Sequence, residues 1–241
     1  MSKHLRIWLF VILGTLLATT TLLAQGVITM TTSRAVGEEI GLSIKANGNV
    51  TIEGAQETSY YDTYTLTLTS QTVTIRGDVT ELDCRESQLT SLDVSKDTAL
   101  TRLVCFYNQL TSLDVSKNTA LKILACQDNQ LTSLDVSKNI ALTKLLCSNN
   151  QLTSLNVSGC TRLTFIACTS NYIKGKAMTK LVNSLPNRRE KSSGTLLVVD
   201  CSSQKRDRNR SSAADVTTAK RKNWEVLKDR GPYDWVSYSG D

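Results

Sequence analysis

Five of the seven cysteines stand at Cys84, Cys105, Cys126, Cys147 and Cys168, one every 21 residues, and this thiol column is the first feature that could do chemistry. Thiols hold metals, form disulfides or act as nucleophiles. The only histidine, His4, lies in the N-terminal segment expected to be removed, which excludes histidine as base, nucleophile partner or metal ligand. Disulfides within the column are disfavoured, because side chains at one register of parallel strands point the same way and an S–S bond needs a dihedral of about 90°. The column therefore reads as small buried hydrophobes carrying packed free thiols, with no metal and no cofactor expected. Cys160 and Cys201 fall outside this register, and whether they pair stays open in the sequence. Carboxylates such as Asp83 with Glu86 lie on an exposed strand and read as solvated surface charge. No enzyme is expected.

A fixed period of this length marks stacked supersecondary units, each burying its apolar side against the next. Aligned on the cysteine, the units read VTELDCRESQ, LTRLVCFYNQ, LKILACQDNQ, LTKLLCSNNQ and RLTFIACTSNY, separated by LTSLDVSKDTA, LTSLDVSKNTA, LTSLDVSKNIA and LTSLNVSGCTR. The pattern L-x-x-L-x-C-x-x-N-x-L resembles a leucine-rich repeat with cysteine in the last apolar slot. More narrowly, the chain is similar to the internalin-like surface proteins of bacteria. That resemblance implies an α/β, β-rich leucine-rich-repeat solenoid with a curved parallel sheet, a β cap before it and an αβ cap after it.

The spacing supports the same architecture independently. Leu82 and Cys84, Leu103 and Cys105, Leu124 and Cys126, Leu145 and Cys147, and Ile166 and Cys168 are i, i+2 pairs, so each points to one side of a strand. Parallel stacking then sets Asn108, Asn129, Asn150 and Asn171 in a column, with Ser87 in the first place; a short amide there can bond the backbone of a tight turn. Leu92 and Val94, with their counterparts, predict a short extended segment on the far side of each coil. Lys96, Lys117 and Lys138 follow Asp93, Asp114 and Asp135 by three positions and read as a partly paired, solvated face.

One coil cannot offset its own ordering entropy, so the stack needs neighbours and closed ends. Residues 40 to 77 read as two hairpin-like strand pairs, turning at Asn47-Gly48 and Ser70-Gln71. After Asn171 the spacing predicts a helix over 174–185, a strand over 196–199, a helix over 213–222 and a strand over 224–227. The expected organisation is a signal peptide over 1–24, a β-strand cap over 25–78, the repeats over 79–173 (about 4.5 of them) and an αβ cap over 174–241. Lys3, His4 and Arg6 precede the apolar run from Ile7 to Leu16, and Leu22-Leu23-Ala24 offers a cleavage site, which predicts export; the same stretch would also serve as an uncleaved anchor. No membrane span is expected in the mature chain.

The net charge of +6 is concentrated late: residues 172 to 241 carry 15 Lys or Arg against 8 Asp or Glu. The densest run, Lys205 to Arg210, lacks the interleaved aromatics of a single-strand binder, and nucleic acid is not an expected partner. The half-coil LTSLDVSK barely changes between copies, whereas outward positions of the cysteine half change every time. Arg102, Val104, Phe106, Tyr107, Ile123, Gln127, Asp128, Lys144, Leu146, Asn149 and Phe165 are accordingly assigned to a concave partner-binding face. Apolar and aromatic groups rimmed by charge suit a protein partner. A glycan is a second ligand class, although Trp224 and Trp235 are assigned to the cap and not to this face. The expected function is a secreted or cell-surface binding module, adhesive as internalin-like proteins are; the alternative is a structural part of an envelope assembly, docking by its ends or its basic cap.

Overall fold

The computed structural model describes residues 26–60, 63–200, 208–229 and 235–240. The expected signal peptide and the thiol of Cys201 lie outside them. The N-terminal strands are β1 (Val27–Thr32), β2 (Glu39–Ala46), β3 (Thr51–Glu53), β4 (Ala55–Tyr60), β5 (Thr63–Leu68) and β6 (Thr72–Arg76). The repeats supply β7 (Val79–Asp83), β8 (Leu89–Asp93), β9 (Arg102–Val104), β10 (Ile123–Ala125), β11 (Lys144–Leu146) and β12 (Phe165–Ala167). Then follow β13 (Gly194–Asp200), β14 (Trp224–Asp229) and β15 (Trp235–Ser237), with helices α1 (Lys176–Ser184) before β13 and α2 (Ala213–Arg221) before β14.

The large sheet runs β15-β14-β13-β12-β11-β10-β9-β7-β2-β5-β4, and its stretch from β7 to β14 is parallel. The fold is thus a β-rich, solenoid-like array with few helices. Register is strict: Leu82, Leu103, Leu124, Leu145, Ile166, Leu196 and Val226 pair rung to rung. All seven are buried, as are the five cysteines one step further on. Each cysteine passes its backbone N–H to the next rung, from Cys84 to Val104 O at 2.8 Å through to Cys168 to Leu197 O at 3.0 Å. The thiols do line up as rungs of one spine.

Two amide ladders hold the turns. In the first, Asn129 Nδ2 donates to the carbonyls of Cys105 (3.0 Å), Cys126 (3.2 Å) and Gln127 (3.3 Å), while Oδ1 accepts from Leu110 N–H (2.9 Å). Asn108, Asn150 and Asn171 repeat the arrangement. Asn209 completes it after a long excursion, accepting from Ile173 N–H at 2.8 Å and donating to Cys168 O at 2.7 Å. The second ladder is Asp97, Asn118, Asn139 and Cys160: Asn139 Nδ2 donates to Val115 O at 2.9 Å, and Cys160 Sγ meets Val136 O at 3.3 Å in the same way. Cys160 is therefore in register after all, in a column the cysteine-based alignment passed over.

The far side of each coil is extended but not paired, except in β8, which joins β3, β6 and β1 in a four-stranded sheet. Asp93, Asp114 and Asp135 do not pair with their lysines among the described residues; each Oδ1 accepts the N–H of the serine two positions on, at 2.8–2.9 Å. Bonds from each serine, its hydroxyl first at Asp93 and its backbone N–H first at Asp114 and Asp135, hold the three carboxyls below their ordinary value. Local turn chemistry wins because the backbone N–H is fixed in place, whereas an exposed lysine loses entropy to pair.

The segments flanking the repeats differ from the sequence reading in their pairings. The expected hairpins at Asn47-Gly48 and Ser70-Gln71 do not form, because β2 pairs with β5 and β7 while β3 pairs with β6. Successive strands cross between two sheets so that each buries its apolar alternate residues, as in Ile40, Leu42 and Ile44 of β2. Only β4 and β5 form a hairpin across the N-terminal turns. At the other end the helices appear where expected. Pro186 denies α1 a further turn, and a capping box between Ser212 and Asp215 starts α2. Each helix replaces the far side of a coil between two parallel strands, so the sheet continues through β13 and β14. No helix of the described residues is long and apolar enough to cross a membrane.

Candidate functional face

With leucine and cysteine columns turned inward, every second residue of the same strands faces the other way. One outward row reads Glu81, Arg102, Ile123, Lys144, Phe165, Thr195 and Glu225 across the sheet. The next reads Asp83, Val104, Ala125, Leu146, Ala167, Leu197 and Leu227. Beyond the strand ends, Tyr107, Asp128 and Asn149 occupy one turn position at successive rungs, all with positive φ between 52° and 54°. Of the sequence-assigned residues, Arg102, Val104, Ile123, Lys144, Leu146 and Phe165 share one side of the sheet, while Phe106, Tyr107, Gln127, Asp128 and Asn149 stand beyond the strand ends.

Their accessibility is uneven. Val104 is only 2% exposed and supports the face from beneath, although the sequence reading counted it as a contact. Tyr107 is 57% exposed, its ring 5.4 Å from Phe106 and nearly perpendicular to it. The Arg85 guanidinium lies 4.8 Å above Phe106 and is tied to Asp83, with Nε 2.9 Å from Oδ1. Asn149 donates to Asp128 at 2.9 Å, and Glu81 lies between Lys45 (3.3 Å) and Arg102 (3.9 Å). Most charge at this end is neutralised locally.

The opposite end holds a group that sequence reasoning missed. Ala167, Leu197 and Leu227 form a separate apolar cluster on the outer face, with Phe165 packed against it. Trp235, assigned to the cap, stands 47% exposed on β15 with its ring 6.1 Å from that of Phe165. The antiparallel pairing of Asp229 with Trp235 turns the chain back and places the indole there. No periodic signal marks this residue, since β15 follows the last repeat.

The thiols take no part in this face. Burial pushes Cys126 up to about 12 and Cys160 to about 11, and raises Cys84, Cys105 and Cys147 as well. These groups stay protonated at neutral pH and are poor nucleophiles or metal ligands. Among the described residues, no group of three His, Cys, Asp or Glu side chains could hold a metal ion.

The fold and this face together describe a repeat protein with a broad outer sheet surface. No family model matches the chain, and no curated protein matches it. Among solved structures it is similar to the functional domain of InlJ from Listeria monocytogenes, described as including a cysteine ladder. The identity is 32%, with a TM-score of 0.49, over 63% of this chain and 30% of that one. The chain thus spans under a third of that structure's length.

Proposed function

We propose that this chain is a binding module of the internalin-like leucine-rich-repeat kind, exported to the cell surface or medium, which takes a protein partner on the outer face of its parallel sheet. The observation that carries the reading is an aromatic pair on apolar support: half-buried Phe165 packs on Ala167, Leu197 and Leu227, and the exposed Trp235 ring lies 6.1 Å from it. Large aromatics on a packed apolar base, rimmed by Lys144, Glu225 and Arg102, have the composition of an interface centre. The partner contacts extend to Ile123, Leu146, Gln127 and the Phe106–Tyr107 pair.

A test compares the mature chain with a Phe165→Ala, Trp235→Ala variant as immobilised bait for surface proteins of host and neighbouring cells. Loss of one captured protein with the variant, at unchanged melting temperature, supports the reading; equal capture by both chains overturns it. A second reading is docking into an envelope assembly through the basic cap. It is favoured by the corner where Arg189 Nε donates to Arg221 O at 2.6 Å and Asn223 holds Lys191 O at 2.8 Å, which gathers three cations. Substituting Arg189, Lys191 and Arg221 by Ser separates the two, because only cap docking depends on them.

A further inference from the structure

We propose that the outer face also carries a groove over β2 that binds a neutral saccharide. The groove does not rest on the protein-partner reading, although Phe106 and Tyr107 border both surfaces. It is an open cavity of about 520 Å³ lined by Gly41, Leu42, Ser43, Asp83, Arg85 and Glu86, within the usual size range of small-ligand clefts.

Gly41 points to a ligand. It sits inside an eight-residue strand, opposite Thr65 of β5, two residues before β2 begins to pair with β7 at Ser43. Its φ lies outside the left-handed range, and a Cβ there would meet nothing within 4 Å. Neither backbone conformation nor packing therefore requires glycine, and glycine weakens a strand interior. What its absent side chain provides is floor space. Leu42 and Ile44 turn inward, so Gly41 and the small Ser43 are what β2 presents to the cavity.

The walls define the ligand. Asp83 and Arg85 neutralise one another through hydrogen bonds at 2.9 and 3.0 Å, and Lys45 does the same for Glu81 at 3.3 Å. Glu86 adds one further carboxylate to the lining, so an anionic ligand gains nothing there. A neutral one carrying hydroxyls meets the guanidinium as donor and Asp83, Glu86 and Ser43 as acceptors. Arg85 is held between Asp83 and the Phe106 ring, so its geometry is set before binding. Beyond it Tyr107, 57% exposed and set edge to face on Phe106, offers one aromatic face for the C–H face of a pyranose ring.

Tyr107 supplies a second, independent sign. Its backbone is left-handed at φ 53°, at a turn position that Glu86, Asp128, Asn149 and Ser170 fill in the other rungs with the same conformation, so Tyr107 is the one aromatic in the column. Asn and Asp tolerate that conformation, whereas a bulky ring is strained in it. An exposed tyrosine kept where asparagine would be at ease fits a ligand contact.

The test uses the mature chain, with hexasaccharides of N-acetylglucosamine, glucose and mannose as probes in saturation-transfer NMR and calorimetry. At least one should bind. Gly41→Val, which fills the floor and suits a strand, and Tyr107→Asn should each weaken that binding tenfold or more while melting at or above the wild-type temperature. Phe165→Ala with Trp235→Ala should leave it unchanged, which keeps this site distinct from the protein face. The proposal is overturned if none of the three sugars binds, if Gly41→Val binds as the wild type does, or if hexalysine binds the groove in preference to every sugar.

Discussion

On β9, β10, β11 and β12 the inward residues are Leu103, Leu124, Leu145 and Ile166, while their outward neighbours are Arg102, Ile123, Lys144 and Phe165. One backbone thus carries a nearly uniform column on one side and four unlike side chains on the other. Inside, each residue meets its own copies above and below, so shape is repeated rung by rung. Outside, the strand imposes direction but no identity. The difference separates what the fold needs from what a partner can read.

The largest effect expected from this contrast is alkaline. The folded pKa values of Cys84, Cys105, Cys126, Cys147 and Cys160 lie above the unfolded value of about 8.5. Their contribution is whole below that pH and is lost as pH rises through the folded values, about 11 for Cys160 and about 12 for Cys126. Urea melts should show stability falling by up to about 1.4 kcal/mol per pH unit for each thiol once the unfolded chain ionises. Cys126→Ala should reduce that slope, and a flat profile to pH 10 would contradict a buried column.

Next in size is the amide ladder. Asn129→Ala removes four hydrogen bonds to buried or partly buried backbone groups, and should cost about 3 kcal/mol or more in chemical denaturation, since each orphaned buried group costs about 1 to 3. Gln127→Ala, two residues away on the outer side, should change stability by no more than about 0.5 kcal/mol, because its buried Oε1 has no partner to lose. Equal losses at the two positions would erase the distinction between the faces. The smallest effect has the opposite sign: Tyr107→Asn should stabilise by about 0.5 to 1 kcal/mol through relief of the left-handed backbone, read as a higher melting temperature.

The cysteine column, the Asn108 ladder and both helices were legible because each rests on short-range periodicity or on punctuation such as Pro186. The second ladder was equally periodic, at Asp97, Asn118, Asn139 and Cys160, but alignment on the first column hid it. Other features had no such signal. Asn209 enters the first ladder across 38 residues, and the N-terminal strands choose partners in two sheets by burying their apolar sides, where a turn dipeptide alone suggests a hairpin.

The sequence by itself determined that 21-residue units stack, which residues each unit hides and which half is free to vary, because a repeat of period 21 on a strand of period 2 admits one inward set. Only the tertiary structure decided what the outer face contains. Val104 sinks, Trp235 arrives from beyond the last repeat, and Gly41 opens a floor between β5 and β7. Those outcomes depend on contacts between residues far apart in the chain, and no local pattern encodes them.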